Sequence, residues 1–322
     1  MWGTSFAASD STYSSLFNNL LSNRATIADR IARNNPQWIE GINQYTYDSI
    51  AGDYFPVGYG SSSMDVLMYS FISAYTGQDP KTMSLNPFPR FPLPNWNITY
   101  NGLTNIPAIQ KIFKSVSITH SYKSNYSINS WASNVYYDPE NTIQTYENSD
   151  VIIPQYDISQ IVLTEQYMPL IGIDLGLQNS MTANVQFKKS RTITLSFSNN
   201  QLTEVNGREF VIGAGYRIKN LSFNISPIGG GNKQTIKNDL ILKVDLGFKR
   251  DITVLHRIDE NNNQVSAGQN KVNIYVTADY TFSKRLSAQA FFKRDMSDPF
   301  VANTFKNATT FAGLTIRFSL AQ

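Results

Sequence analysis

The chain has 322 residues, a formal net charge of +3 and no cysteine, with 13% aromatic and only 16% charged residues, whereas soluble domains average roughly 25% charged. The missing cysteine excludes disulfides, a thiol nucleophile and cysteine-ligated metal sites within these residues. The basic residues are spread along the sequence, so we expect no nucleic-acid partner. No run of about 20 apolar residues occurs, which excludes a transmembrane helix.

The first ten residues, MWGTSFAASD, lack the basic and continuous apolar regions of a signal peptide. Two explanations stay open. Either the protein remains in the cytoplasm, or residue 1 is not the start of the natural gene product.

The N-terminal part predicts a short strand over 2–8 and two packing helices. Residues 14–35 carry apolar side chains at helical spacing, and their polar face is poor in lysine, which disfavours a membrane-surface helix. A second helix is predicted over 63–77, with Asp65 near its start and Gly77 as its stop signal. The four prolines of 86–95 predict an extended connector.

From about residue 95 the sequence alternates between apolar and polar residues, which is the period of β-strands. Turn signals separate about ten or eleven such segments. The predicted strands lie near 95–101, 113–130, 156–165, 168–178, 181–198, 208–218, 238–256, 271–282, 286–295 and 310–320.

In the clearest strands one face is apolar and the opposite face holds the charges. A soluble sheet with one buried face would alternate in the same way, so alternation alone does not identify a membrane protein. The polar-face residues predicted to line a lumen are Asp174, Lys188, Arg217, Lys243, Asp245, Asp279, Lys293 and Arg317.

The positions of aromatic and basic residues favour a membrane. Three strands of the same direction end their apolar run with an aromatic residue followed by a basic pair, and the residues predicted to form this lipid-interface girdle are Phe187, Lys189, Phe248, Arg250, Phe292 and Arg294. The apolar band between the aromatic rims is about 8–10 residues long, close to what a tilted strand needs to cross a bilayer. The pattern predicts a transmembrane β-barrel whose basic rim faces anionic lipid and whose short turns at 179–180 and 283–284 face the periplasm.

The segment 311–322, FAGLTIRFSLAQ, predicts a closing strand with Gly313 toward the lumen and Ile316 and Phe318 toward lipid. This spacing resembles the C-terminal insertion signal of outer-membrane barrels. We therefore expect the barrel assembly machinery to be a partner.

Several segments carry a family resemblance: MDVLMYSFISAYTGQDP, NPFPRFPLPNWNITYNGL, PLIGIDLGLQNSMTANVQFKKSRTITLSFSNNQLTEVNGREFVIGAGYRIKN, LKVDLGFKRDITVLHRIDENNNQVSAGQNKVNIYVTADYTFSKRLSAQAFFKRD and LTIRFSLAQ. They resemble the C-terminal end of the SprA/Sov family, the outer-membrane translocon of the type 9 secretion system, which is tied to gliding motility. The resemblance covers at least residues 60–322.

The resemblance implies an all-β fold: the C-terminal strands of one very large antiparallel transmembrane β-barrel of about 36 strands, with two short helical insertions. Residues 1–94 would form a strand plus a helical and proline-rich insertion region that decorates or narrows the pore, and 95–322 would form the transmembrane strands. The chain would be part of a much longer parent in the outer membrane of a diderm bacterium. That parent exports folded proteins through a wide polar pore.

The partners that the resemblance implies are outer-membrane lipid, a PorV-type barrel protein, a periplasmic plug protein, secreted proteins in transit and the rest of the parent chain. The only histidines, His120 and His256, lie far apart in the sequence, and we expect no catalytic residue, metal or cofactor. Two alternatives stay open. One is a self-contained smaller outer-membrane barrel that transports small molecules, and the other is a soluble β-protein that acts as a binding module.

Overall fold

The computed structural model describes residues 9–10, 13–39, 44–88, 95–225, 234–260, 262–283, 285–301 and 305–319. The predicted strand at 2–8 and most of the proline-rich connector lie outside these residues. The helices are α1 (Ser15–Asn34), α2 (Met64–Thr76) and α3 (Pro107–Gln110). The strands are β1 (Ser9–Asp10), β2 (Tyr13–Ser14), β3 (Tyr45–Asp48), β4 (Asp53–Pro56), β5 (Trp96–Tyr100), β6 (Phe113–Ser133), β7 (Tyr156–Leu177), β8 (Met181–Ser196), β9 (Gln201–Ile225), β10 (Gln234–Arg257), β11 (Asn262–Thr281), β12 (Leu286–Pro299) and β13 (Asn307–Phe318).

Nine strands, β5 to β13, form one antiparallel meander in which each strand pairs with its neighbours in sequence. The strands from β6 to β11 are 16 to 25 residues long, far above the usual five or six. The prediction of a mostly antiparallel β-structure with two main helices is confirmed. Within the described residues, no helix is both long and apolar enough to span a membrane.

Two details of the strand prediction are wrong. The segments 156–165 and 168–178 form the single strand β7, because an irregularity between Tyr167 and Ile171 shifts its pairing with β8 without ending it. The turns after β8 and β10 are shorter than predicted, since β9 begins at Gln201 and β11 at Asn262. Polar residues there occupy paired strand positions, which the turn signals concealed.

Both main helices follow their capping signals. The Ser14 hydroxyl accepts a hydrogen bond of 3.3 Å from the Phe17 amide at the start of α1. Gly77 ends α2 in the left-handed conformation at φ +71°. Asp65 lies in the first turn of α2, as predicted.

The helices pack against the end of the sheet that lies beyond the predicted basic girdle. Phe17, Leu20 and Ile27 of α1 and Leu67 and Phe71 of α2 belong to the main buried cluster. Their partners on the sheet include Ile161, Leu163, Ile193, Leu195 and Leu202. The molecule therefore has one end where the sheet is covered by helices and one end where it is bare.

A long loop, 134–155, ties the first helix to the sheet. The Asn35 side-chain amide donates to the Thr142 carbonyl at 2.8 Å, and the Thr142 amide donates to the Gln37 side chain at 2.8 Å. The Ile152 amide donates to the Gly58 carbonyl at 3.0 Å. These bonds hold the helical part and the loop as one cap on the sheet.

Candidate functional site

All eight predicted lumen residues lie on one face of the sheet. A single register row crosses it through Asp174, Asn184, Gly213, Asp245, Tyr275 and Lys293, each directly opposite the next. The other predicted residues are an even number of positions from this row on their own strands, so they share the face. We call it the polar face.

On the polar face most cations have a carboxylate close by. Lys188 lies 3.7 Å from Glu209, and Lys293 lies 2.8 Å from Asp295. Near the centre, a shallow depression of about 370 Å³ is lined by Asp174, Lys243 and Asp245 together with small residues. A face with paired charges and a polar hollow suits contact with water.

The opposite face is apolar and exposed at the bare end of the sheet. Ile212 is 39% exposed and Ile316 is 64% exposed. Large apolar side chains continue on this face across β7 to β13, and no described helix packs over them there. Tyr280 is buried because its ring packs on Phe223 of β9. A contiguous exposed apolar surface of this kind marks an interface with a membrane or another protein. We call this surface the apolar band.

One rim of the apolar band is aromatic and follows a regular stagger. The register row through Tyr216 of β9 reaches Leu314 on β13. The rim aromatic on β11, Tyr280, lies two residues beyond this row, and Phe318 of β13 lies four residues beyond it. The rim therefore shifts by about one residue per strand.

Measured over four strands, from β8 to β12, the other rim shifts by the same total amount in the same direction. The row through Phe187 of β8 reaches Met296 on β12, whereas the rim aromatic Phe292 lies four residues closer to the first rim. Four residues correspond to about 13 Å and four interstrand spacings to about 19 Å. The two rims are therefore parallel. The strands are tilted by about 35° from the direction perpendicular to the rims, at the lower end of the range for β-barrels.

Aromatic and basic residues form two neighbouring rows at this second rim. Phe187, Phe210 and Phe248 lie directly opposite one another on β8, β9 and β10. Two residues farther along, Lys189, Arg208 and Arg250 form the next row on the same face. The structure thus brings four of the six predicted girdle residues together. Phe292 and Arg294 of β12 are displaced from these rows by four residues toward the first rim.

Sequence analysis missed Arg208 and Phe210, although they lie at the centre of these rows. The predicted girdle pattern was an aromatic residue followed by a basic pair. Because β9 runs opposite to β8 and β10, its basic residue precedes its aromatic residue. Reading each antiparallel strand in reverse would have found both.

The basic row also continues into an aromatic cluster. Tyr167 lies opposite Lys189, Tyr122 opposite Tyr167, and Trp96 opposite Tyr122. The rings of Trp96 and Tyr122 stack at 4.5 Å between centroids. Tyrosine and tryptophan suit the boundary between water and hydrocarbon because each has an apolar body and a polar tip.

The residues of the predicted insertion signal occupy the expected faces. Gly313 lies on the polar face opposite Phe291, and a Cβ atom at Gly313 would come within 2.8 Å of the Phe291 ring. Ile316 and Phe318 lie on the apolar band and are 64% and 61% exposed. Residues 320–322 are outside the described part of the chain.

Beyond the basic row, the same face is covered by α1 and α2. The β8–β9 pairing is continuous from Met181 to Ser196, so Ile193 and Leu195 share the face of Phe187. The helices therefore pack on the continuation of the apolar band. The resemblance implies insertions that decorate or narrow the pore. The described packing of α1 and α2 leaves the polar face uncovered, because their apolar residues bury the apolar side chains of the sheet.

A cluster of charged residues is buried under this helical cover. Arg191 forms an ion pair of 2.9 Å with the Glu204 carboxylate, and their side chains are 0% and 3% exposed. Arg191 also reaches the Ser14 hydroxyl at 3.4 Å, and Asn206 donates to Glu204 at 2.6 Å. The cluster links β8, β9 and the start of α1. Sequence analysis missed this cluster. The signal was present, because Arg191 and Glu204 are charged residues at strand positions that otherwise carry the apolar face.

The two histidines lie in separate environments. His256 is buried, stacks on Phe17 at 4.3 Å and shares a 2.6 Å hydrogen bond with Asn263. Burial lowers the pKa of His256. His120 shares a 2.6 Å hydrogen bond with the Leu170 carbonyl. Among the residues that the structure describes, no group of three or more His, Cys, Asp or Glu side chains could hold a metal ion.

A scan of the chain against protein-family models finds no match, and a search of curated proteins finds none either.

Proposed function

We propose that this chain forms part of the wall of a transmembrane β-barrel in the outer membrane. The observation that carries the proposal is the exposed apolar band between two parallel aromatic rims. Along β10 the band extends eight residues, from Leu240 opposite the rim residue Tyr280 to Phe248, or about 26 Å. At a tilt of about 35° this is a height of roughly 22 Å, close to the apolar band of about 25 Å in outer-membrane barrels.

The barrel would contain more than these nine strands. In a nine-strand meander the first and last strands, β5 and β13, run in the same direction. Bacterial single-chain barrels close between antiparallel strands and have an even strand number, so β5 and β13 would not close on each other. Lipid does not tolerate an open sheet edge, and further strands of a larger parent would pair with both edges.

We propose further that the barrel conducts proteins. The polar face carries ion-paired charges and a polar hollow, which favours a water-filled lumen over an apolar passage. Together with the resemblance to the SprA/Sov family, this supports a segment of an outer-membrane translocon of about 36 strands. A PorV-type barrel protein, a periplasmic plug and secreted proteins in transit would then be its partners.

The first experiment measures the size and location of the native polypeptide. An antibody against 262–283 would be used to blot outer membranes washed with alkaline carbonate. We expect a retained band far larger than the 36.2 kDa of this chain. A retained band near 36 kDa would favour the smaller barrel for small molecules, and release by the wash would favour a soluble binding module.

The second experiment tests protein export. After depletion of the native polypeptide, folded proteins with cleaved signal peptides should accumulate in the periplasm. Their amounts on the cell surface and in the medium should fall. Unchanged export together with lost uptake of a small solute would contradict the translocon and support the smaller transporter.

A further inference from the structure

The basic row on the apolar side concentrates positive charge at one level of the wall. Lys189, Arg208 and Arg250 are directly opposite one another on three neighbouring strands. Directly opposed residues lie about 4.5–5.5 Å apart at their Cα atoms, so three cations occupy roughly 10 Å. Like charges in this arrangement destabilise a sheet unless something neutralises them.

Carboxylates do not neutralise the two arginines. Among the described residues, neither Arg208 nor Arg250 forms an ion pair. On the outward face Glu165 and Glu204 lie one and two rows farther toward the helices. Asp298 lies in the basic row itself, two strands from Arg250, where it pairs with Lys306 at 2.9 Å. Glu204 is already bonded to Arg191 at 2.9 Å. Apart from the Lys306–Asp298 pair, four cations face two carboxylates in this region of the outward face, counting Arg191 and Lys189.

The polar face of the same strands provides a contrast. Its cations Lys188 and Lys249 are the sequence neighbours of the outward basic residues. Lys188 lies 3.7 Å from Glu209, and Lys249 lies 3.0 Å from Asp251. Carboxylates therefore accompany these two cations of the polar face, whereas Arg208 and Arg250 lack a carboxylate partner within the described chain.

The surroundings of the basic row also suit a lipid headgroup. The row lies directly beyond the aromatic row of Phe187, Phe210 and Phe248, at the end of the apolar band. The guanidinium of Arg250 lies 4.9 Å from the centre of the Phe300 ring, which restrains it. Lys189, in the same row, is half-buried.

We propose that Arg208 and Arg250, with Lys189 beside them, bind a phosphate group of an anionic lipid whose acyl chains lie on the apolar band. Arginine binds phosphate through two parallel hydrogen bonds, and two opposed arginines can donate hydrogen bonds to one phosphate from both sides. The proposal rests on the proposed function, because it places this row at the headgroup level. A lipid is the occupant that supplies both the phosphate and the apolar chains to cover Phe210 and Phe248.

The test measures lipid retention by the purified native polypeptide in a non-ionic detergent. The probe is a fluorescent diphosphoryl lipid A, with a zwitterionic phosphatidylethanolamine and inorganic phosphate as competitors. The test variant is Arg208→Gln with Arg250→Gln. The matched control is Lys188→Gln with Lys249→Gln, which removes the same charge from the same strands on the polar face.

We expect the arginine variant to weaken binding of lipid A at least tenfold and the lysine variant to change it less than twofold. Inorganic phosphate should compete poorly, since it lacks acyl chains. Equal binding by the wild type and the arginine variant would overturn the proposal, as would an equal loss in both variants. Competition by inorganic phosphate at concentrations near those of lipid A would show a site for a free anion instead.

The alkaline wash separates this test from the proposed function. If wild type and the arginine variant both stay in washed membranes but bind lipid A equally, the proposed lipid site is contradicted and the proposed membrane-spanning wall is not. If the wash releases the wild type, the membrane wall itself is wrong and the lipid site falls with it.

Discussion

Arg191 and Glu204 form a 2.9 Å ion pair between β8 and β9 that is sealed from solvent by α1 and α2. The pair lies on the same face as the apolar band, with Arg191 one row and Glu204 two rows beyond the proposed headgroup level. Arg191 also contacts Ser14 at the start of α1, so the pair connects the helical cover to the sheet, and loss of either partner should be destabilising. Removing one member of such a pair leaves a buried charge uncompensated.

We predict that Arg191→Met lowers the free energy of unfolding by about 3–5 kcal/mol. The loss follows because Glu204 stays buried without its cation. Circular dichroism at 222 nm during denaturant unfolding in detergent would follow the loss of the helices. The double variant Arg191→Met with Glu204→Leu should recover most of the loss, since neither charge is then buried.

The matched control for this prediction is the exposed pair formed by Arg257 and Glu260, whose side chains are 52% and 55% exposed. Arg257→Met should cost less than about 1 kcal/mol. Similar losses for Arg191→Met and Arg257→Met would contradict the assigned role of burial.

The stability of the helical cover should depend on Asp65. Burial raises the pKa of Asp65 to about 6, above the usual value of about 3.9. Between these two values the folded state binds more protons than the unfolded state, so this group lowers stability as pH rises from about 4 to 6. Asp65→Asn should therefore stabilise the protein by about 1–2 kcal/mol at pH 8 and leave it unchanged below pH 4.

Denaturant unfolding of the Asp65→Asn variant at pH 4, 6 and 8 would check this dependence. Asp157→Asn, which removes the same charge from an exposed position on β7, is the control. A gain from Asp65→Asn that is equal at all three pH values would rule out titration of Asp65 as the cause.

The two faces of β8 should differ in their access to water. The chain contains no cysteine, so single cysteines can be introduced without background within these residues. Asn184→Cys lies on the polar face and Val185→Cys on the apolar band. In intact outer membranes, we expect a charged maleimide to label Asn184→Cys at least tenfold faster. Equal labelling rates would contradict a lipid-facing band.

The closing strand allows the same substitution to be compared on both faces. Phe318 lies on the apolar band and Phe311 on the polar face, and both are more than half exposed. We predict that Phe318→Ser lowers the amount of assembled protein in outer membranes severalfold, because it would remove a lipid-facing aromatic residue from the proposed insertion signal. Phe311→Ser should leave it within twofold. Quantitative blotting of washed membranes measures both, and equal yields would contradict the assignment.

The amino-acid pattern predicted those features of the fold that depend on a single strand or helix. Alternation placed Asp174 and Lys293 on the polar face, and Gly77 marked the end of α2. The pattern could not predict which residues become neighbours across strands, because register depends on turn lengths and irregularities such as the one between Tyr167 and Ile171. The row of Lys189, Arg208 and Arg250 is therefore visible only in the paired sheet.

The location of the helices was also beyond the sequence pattern. Both helices have apolar faces that must be buried, but the pattern does not say against which surface. The buried charges of Arg191 and Glu204 follow from that packing. Strand parity alone would have put them in contact with lipid or solvent, and the helical cover is what makes a buried ion pair possible.

The overall stagger of the rims also determines how much perimeter each strand occupies. Strands about 4.8 Å apart and tilted by about 35° each occupy roughly 5.9 Å of circumference. Nine such strands cover about 53 Å, which as a closed ring would be only about 17 Å across between backbones and would fill with side chains. A ring of about 36 strands at the same tilt has a circumference near 210 Å and a width of about 67 Å, room enough for a folded domain to pass.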